Sequence, residues 1–192
     1  MNDNGHLKVS TLTNRLALNA ILLAICIASQ YFKSVSVYIT GPFVNLCIIL
    51  SVMMTGLWWG IAISVITPVT AFFIAASPVM QAVPWIVPLI MCGNAVLAVM
   101  VYFFFAPAVN AREHYVYFRS VLWAVLSSVA KAAFMGLTIS LWLLPAFIPQ
   151  ASPLYQKMGV FQMTFSLTQL ITALIGFVYF FLIWKSVKKA VR

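Results

Sequence analysis

The sequence predicts an all-α integral membrane protein, with six transmembrane helices and both ends in the cytoplasm. Three observations lead there. Hydrophobic residues make up 64% of the 192 residues and charged ones 7%, against roughly 45–50% and about 25% in soluble domains. The mean hydropathy is +1.06, so a water-soluble fold would have almost nothing polar to cover its surface. The apolar residues also fall into six runs, and crossing a hydrocarbon core of about 30 Å takes about 20 apolar residues per helix. Six spans use up the length, leaving no room for a separate soluble domain.

Residues 1–14 are polar and expected to be a cytoplasmic N-terminal segment. The first apolar run, 15–32, lacks a small-residue cleavage site before the next polar turn, so it reads as a retained helix and not a signal peptide. The runs 42–58 and 60–76 follow, short and joined only by Leu57-Trp58-Trp59-Gly60, with Pro68 interrupting the later one. That pattern predicts a tight hairpin with a broken helix, or else one long tilted helix. The runs 86–106, 119–144 and 160–184 complete a transmembrane domain over 15–184, and 185–192 form a basic cytoplasmic tail. The connection 106–118 is the most polar internal one and divides the chain into four spans and two.

The net charge is +9, from 11 Lys and Arg against 2 Asp and Glu, a balance that in a soluble protein points to nucleic acid. Here the basic residues flank apolar runs instead of forming one patch. An even number of spans places Lys8, Arg15, Arg112, Arg119, Lys185, Lys188, Lys189 and Arg192 on one side, and only Lys33 and Lys157 on the other. The positive-inside rule makes the first side cytoplasmic. Trp58, Trp59, Trp85, Trp123, Trp142 and Trp184 fall near span ends, where an indole's apolar body and polar N–H suit the interface. Cys26, Cys47 and Cys92 lie in separate runs without metal-ligand spacing and read as packing residues.

Catalysis at depth needs acids, bases or metal ligands. The only acids are Asp3 and Glu113 and the only histidines His6 and His114, all in polar segments. This argues against intramembrane aspartyl or zinc proteases, metal-dependent headgroup transferases and pumps built on a buried carboxylate. No Gly-rich phosphate loop is present. The chain is therefore expected to be no enzyme, with no catalytic residues, metal or cofactor.

What remains is a set of uncharged amides. Asn45, Asn94, Gln162 and Gln169 fall in the outer halves of their predicted helices, and Gln81 lies in the outer loop 77–85. An unsatisfied amide is costly in hydrocarbon, so these groups should turn inward. There they either bond to one another between helices or line a ligand pocket that opens outward. Lys131 lies midway along the fifth run, near Ser127 and Ser128, with no acid in the chain placed to pair with it. Two readings fit it. A ligand carboxylate or phosphate pairs with the ammonium, or Lys131 caps carbonyls of the broken third helix or snorkels to the interface.

In the first span Ala20, Ala24 and Ala28 recur every four residues, a smooth stripe that lets another helix approach closely, within the bundle or from another protein. Added to this are Gly41-Pro-Phe-Val-Asn45-Leu opening the second span and the Gly56-Leu-Trp-Trp-Gly60 hairpin. Thr67-Pro68 in the third span and Gly93-Asn94 in the fourth complete the pattern. Over residues 12–185 it resembles the substrate-binding S component of energy-coupling-factor (ECF) vitamin transporters. The resemblance implies a multi-pass protein of the bacterial cell membrane that captures a vitamin or related micronutrient from outside. It implies docking through Ala20, Ala24 and Ala28 on a transmembrane coupling subunit driven by two cytosolic ATPases, with toppling of the subunit in the membrane to carry the pocket inward. Asn45 and Asn94 become pocket residues. The aromatic and acidic signatures of the thiamine-binding subgroup are not matched, nor are those for riboflavin or biotin, so the vitamin stays open. The alternative function is a small six-span scaffold of cell-envelope morphogenesis. A transporter acting alone ranks behind both because the carboxylates are missing.

Overall fold

The computed structural model describes residues 11–32, 36–110 and 116–190. Lys8, Lys33, Arg112 and Arg192, with Asp3, His6, Glu113 and His114, lie outside them. The described residues form helices and turns with no strand. Six of the helical stretches are long and apolar enough to cross a membrane, which makes this a multi-pass membrane protein.

Helix α1 (Leu12–Gln30) starts where Thr11 Oγ1 accepts the Asn14 N–H at 3.3 Å, satisfying a donor that has no intrahelical partner. Helix α2 (Val37–Thr55) starts the same way on Ser36, whose Oγ accepts from Tyr38 N at 3.1 Å. Gly56 alone joins α2 to α3 (Leu57–Ala75), at φ +105°, a conformation that L side chains rarely adopt. The expected hairpin is therefore tighter than Leu57–Gly60, which form the first turn of α3. Nor is α3 broken, since it runs as one helix through Pro68. The proline removes one N–H, while Thr67 Oγ1 donates to Ile63 O at 2.9 Å beside the gap.

The short α4 (Pro78–Ala82) leads to α5 (Ile86–Asn110) and α6 (Tyr117–Phe147). The sixth span, Tyr155–Val187, is not the single helix the sequence predicts. It divides at Ser166 into α7 (Met158–Phe165) and α8 (Leu167–Ala190). The break is tied to α6, whose backbone turns π-helical over Gly136–Leu143, with Leu144 N–H reaching Ile139 O. In that i to i+5 register Ser140 O would take the N–H of residue 145, which is a proline and has none. Gln162 Nε2 takes its place at 3.0 Å. The end of α7 in turn frees the Gln162 carbonyl, and Ser140 Oγ (2.9 Å) and Ser166 Oγ (2.6 Å) donate to it. Two interrupted backbones thus satisfy each other.

Helix α2 is the centre of the bundle, with 67% of its spanning window buried against 22% for α1. Its closest neighbour is α8, because Gly176 places no side chain between them. A Cβ there would lie 2.8 Å from Asn45 Cβ and 3.2 Å from Pro42 O. One apolar cluster, including Ile48, Ile49, Met53, Phe105, Phe177 and Phe180, fills the half of the bundle that holds both described chain ends. A second, with Val79, Ile86, Met135, Ile139, Leu143 and Phe165, fills part of the opposite half. Outward faces are apolar as well: Leu12, Phe73 and Leu182 are each more than 70% exposed, as suits side chains that meet lipid. Of the six tryptophans, Trp58, Trp85 and Trp142 are exposed, whereas Trp184 is buried and stacked on Phe180. Cys26 and Cys47 are buried packing residues, but Cys92 faces outward and packs no core.

Candidate functional site

Seven of the helices and connections bring polar side chains together in the half of the bundle away from the chain ends. Gln30 closes α1, Asn45 lies in the first half of α2, and Thr67 in the second half of α3. Asn94 lies in the first half of α5, Lys131 near the middle of α6, Thr164 in α7 and Gln169 at the start of α8. All of them line a cavity of about 170 Å³, whose other walls are largely apolar, from Val44, Pro68, Ala71, Met80, Ile90 and Phe165.

Lys131 is 2% exposed, and its Nζ donates to Asn45 Oδ1 at 2.5 Å. An ammonium can only donate, so this contact also fixes the amide of Asn45 with its oxygen toward the charge. The neighbouring Ser127 and Ser128 are occupied on their own helix, donating to Trp123 O and Ala124 O. The capping and snorkelling readings of Lys131 therefore fail. Its partner is an amide of α2, its depth is mid-span, and the carbonyl beside Pro68 in α3 is taken by Gln30, whose Nε2 donates to Thr67 O at 3.0 Å.

That bond leaves Gln30 Oε1 buried and without a hydrogen-bond partner among the described residues. Thr40 Oγ1 ties the same end of α1 down by donating to Ser29 O at 2.9 Å. Among the described residues Asn94, 3% exposed, makes no side-chain hydrogen bond, and Gln169 makes one, from Nε2 to Thr164 O at 3.2 Å. The site thus brings together one lysine amine, a side chain with an orphaned carbonyl oxygen and several amide donors on an otherwise apolar wall. Among the described residues no three His, Cys, Asp or Glu gather as metal ligands.

Of the residues singled out in the sequence, Asn45, Asn94, Lys131 and Gln169 meet at this cavity, and Gln81 and Gln162 do not line it. Gln81 is exposed, with its Nε2 3.4 Å from Ala76 O in its own loop. Gln162 is engaged in the α6–α7 clamp. Missed in the sequence were the polar lining residues Gln30, Thr40, Thr67, Ser77 and Thr164. Gln30 reads there as the polar end of a span, although it follows the buried face Asn19, Leu22 and Cys26 at helical spacing. Ala20, Ala24 and Ala28 are all exposed, on the side of α1 away from that face. The stripe is not close packing within this bundle.

Comparison of the chain with protein-family models, with curated proteins and with solved structures gives no match.

Proposed function

We propose that the protein is the substrate-binding membrane subunit of an ECF-type importer, capturing a vitamin or related micronutrient from outside for ATP-driven uptake by partner subunits. The observation that carries this reading is the cavity at Lys131, where six spans direct a buried lysine, four amide side chains and the orphaned Gln30 Oε1 to one place. Buried polar groups without partners are costly in a membrane and typically mark a ligand or substrate pathway. A structural scaffold of cell-envelope assembly needs no such concentration of unmet donors and acceptors.

The distribution of basic residues supports the orientation. Arg15, Arg119, Lys185 and Lys189 fall at the end holding the chain ends, and Lys157 at the cavity end. By the positive-inside rule the first end is cytoplasmic, so the cavity lies toward the outside. The exposed Ala20, Ala24 and Ala28 supply the small-residue surface that a helix of a transmembrane coupling subunit requires for close approach. The ATP hydrolysis comes from two cytosolic ATPase subunits bound to that partner.

The test separates capture from transport. Cells producing this chain together with the coupling subunit and ATPases of its host are expected to accumulate substrate only when all are present. Ala24→Leu should abolish accumulation while leaving substrate binding by the purified chain within about twofold, because the new side chain points away from the cavity. Equal loss of binding and accumulation, or accumulation without the ATPases, would overturn the proposal.

A further inference from the structure

The cavity's own chemistry narrows the substrate class, an inference that rests on the capture reading above. Lys131 has three donors, and one of them reaches Asn45 Oδ1, its single acceptor among the described residues. Neutral Asn45 orients the charge without cancelling it. The described residues include no Asp or Glu, so none of them cancels it. A cation held at mid-span with one amide oxygen calls for an anion that the described residues do not supply.

Gln30 is a second, independent observation. Thr67 O can only accept, so the Gln30 amide must turn its Nε2 that way, and its Oε1 is left as a fixed acceptor, buried and unpartnered among the described residues, on a side chain that lines the same cavity. Asn94 adds an uncommitted amide. Size sets the third limit. A cavity of about 170 Å³ is slightly larger than the roughly 150 Å³ that accommodates benzene and well below the ~300–1,000 Å³ of sites for drug-sized ligands.

We infer that the ligand is a small monocarboxylate with a single-ring-sized apolar body and an N–H or O–H donor, its carboxylate on Lys131 and its donor on Gln30 Oε1. One positive charge balances one carboxylate. A phosphate monoester, at about −1.5 to −2, would bring a surplus negative charge into a site with no second cation among its lining residues.

The test is thermal unfolding of the detergent-purified chain with benzoate, with the 2-, 3- and 4-aminobenzoates, and with the neutral amide of each. At least one aminobenzoate should raise the wild-type midpoint more than its amide does, and more than benzoate. Lys131→Met should lower affinity for that acid about a hundredfold or more while raising the midpoint of the empty protein, because an uncompensated charge is gone. Gln30→Leu should keep the preference for acid over amide and lose that for aminobenzoate over benzoate. Acids and amides acting alike on the wild type, or no acid acting, would overturn the anionic assignment without requiring any variant to fold. An acid effect that survives Lys131→Met would overturn it too. Uptake failing in cells while the acid still binds would overturn the importer reading and leave this assignment standing.

Discussion

Gly176→Ala tests how the fold holds the site. The added methyl group would meet Asn45 Cβ at 2.8 Å, Pro42 O at 3.2 Å and Leu46 N at 3.3 Å. Two of those three atoms are backbone of α2 and the third is bonded directly to it, so no side-chain rotation relieves the contact. Overpacking of this kind costs ~1–3 kcal/mol, whereas Ala in place of Gly in a helix gains ~0.8–1 kcal/mol. The balance is a net loss of up to about 2 kcal/mol. Gly159→Ala, in α7 with nothing within 4 Å of its new Cβ, shows the propensity term alone. Thermal midpoints of the two variants in the same detergent should therefore diverge, Gly176→Ala unfolding below the wild type or near it and Gly159→Ala at or above it. Displacing α2 also moves Asn45 Oδ1 off Lys131, so Gly176→Ala should bind ligand less tightly and Gly159→Ala unchanged. Equal midpoints and equal affinities would refute the close α2–α8 contact as the support of the site.

Gln162→Leu removes the donor to Ser140 O and should lower the midpoint by an amount corresponding to ~0.6–2 kcal/mol, typical of an interhelical hydrogen bond, with ligand affinity unchanged. Lost affinity at unchanged stability would return Gln162 to the site. For topology, single cysteines placed in 77–84 and 148–156 should react with an impermeant reagent applied from outside and those in 107–117 should not. The native cysteines are replaced first, exposed Cys92 above all. Labelling at Arg112 from outside would invert the orientation.

The spans were legible because their signal, some twenty apolar residues between polar or Pro/Gly punctuation, is set by the solvent and not by tertiary packing. Their interruptions were not. Pro68 reads as a break, yet the helix passes through it. Ser166 carries no breaking residue, yet the sixth span divides there, because the cause lies in α6, where Pro145 leaves Ser140 O free for Gln162. The amides illustrate the same limit. Composition shows that Asn45, Asn94, Gln162 and Gln169 must be accommodated in hydrocarbon, and the partners of Asn45 and Gln162 are long-range contacts that no local pattern contains. Lys131 and Asn45 are 86 positions apart, and both are conspicuous alone. Gln30 was hidden because a polar residue at a span end has an ordinary interfacial explanation, which its 1% exposure removes.

Helix α1 links the two surfaces that the importer reading needs. In lipid, apolar packing between helices gains no hydrophobic drive, so polar bonds weigh heavily in holding a peripheral helix. Near one end of α1, Asn19 Nδ2 donates to Thr55 Oγ1 at 3.1 Å and Asn19 Oδ1 accepts from Ser51 Oγ at 2.5 Å. At the other end, Thr40 bonds to Ser29 and Gln30 to Thr67. Between them only Leu22 and Cys26 are buried. At ~0.6–2 kcal/mol per bond the cavity-end attachment is modest, and it sits within two residues of exposed Ala28. A partner helix seated on the alanine stripe would therefore act on the same turn that carries Gln30, a residue of the cavity lining. Displacing that turn disturbs two side-chain bonds, whereas moving α2, which is buried on most sides, disrupts the core. On the importer reading, release of a captured ligand toward a coupling subunit takes the first route at lower cost.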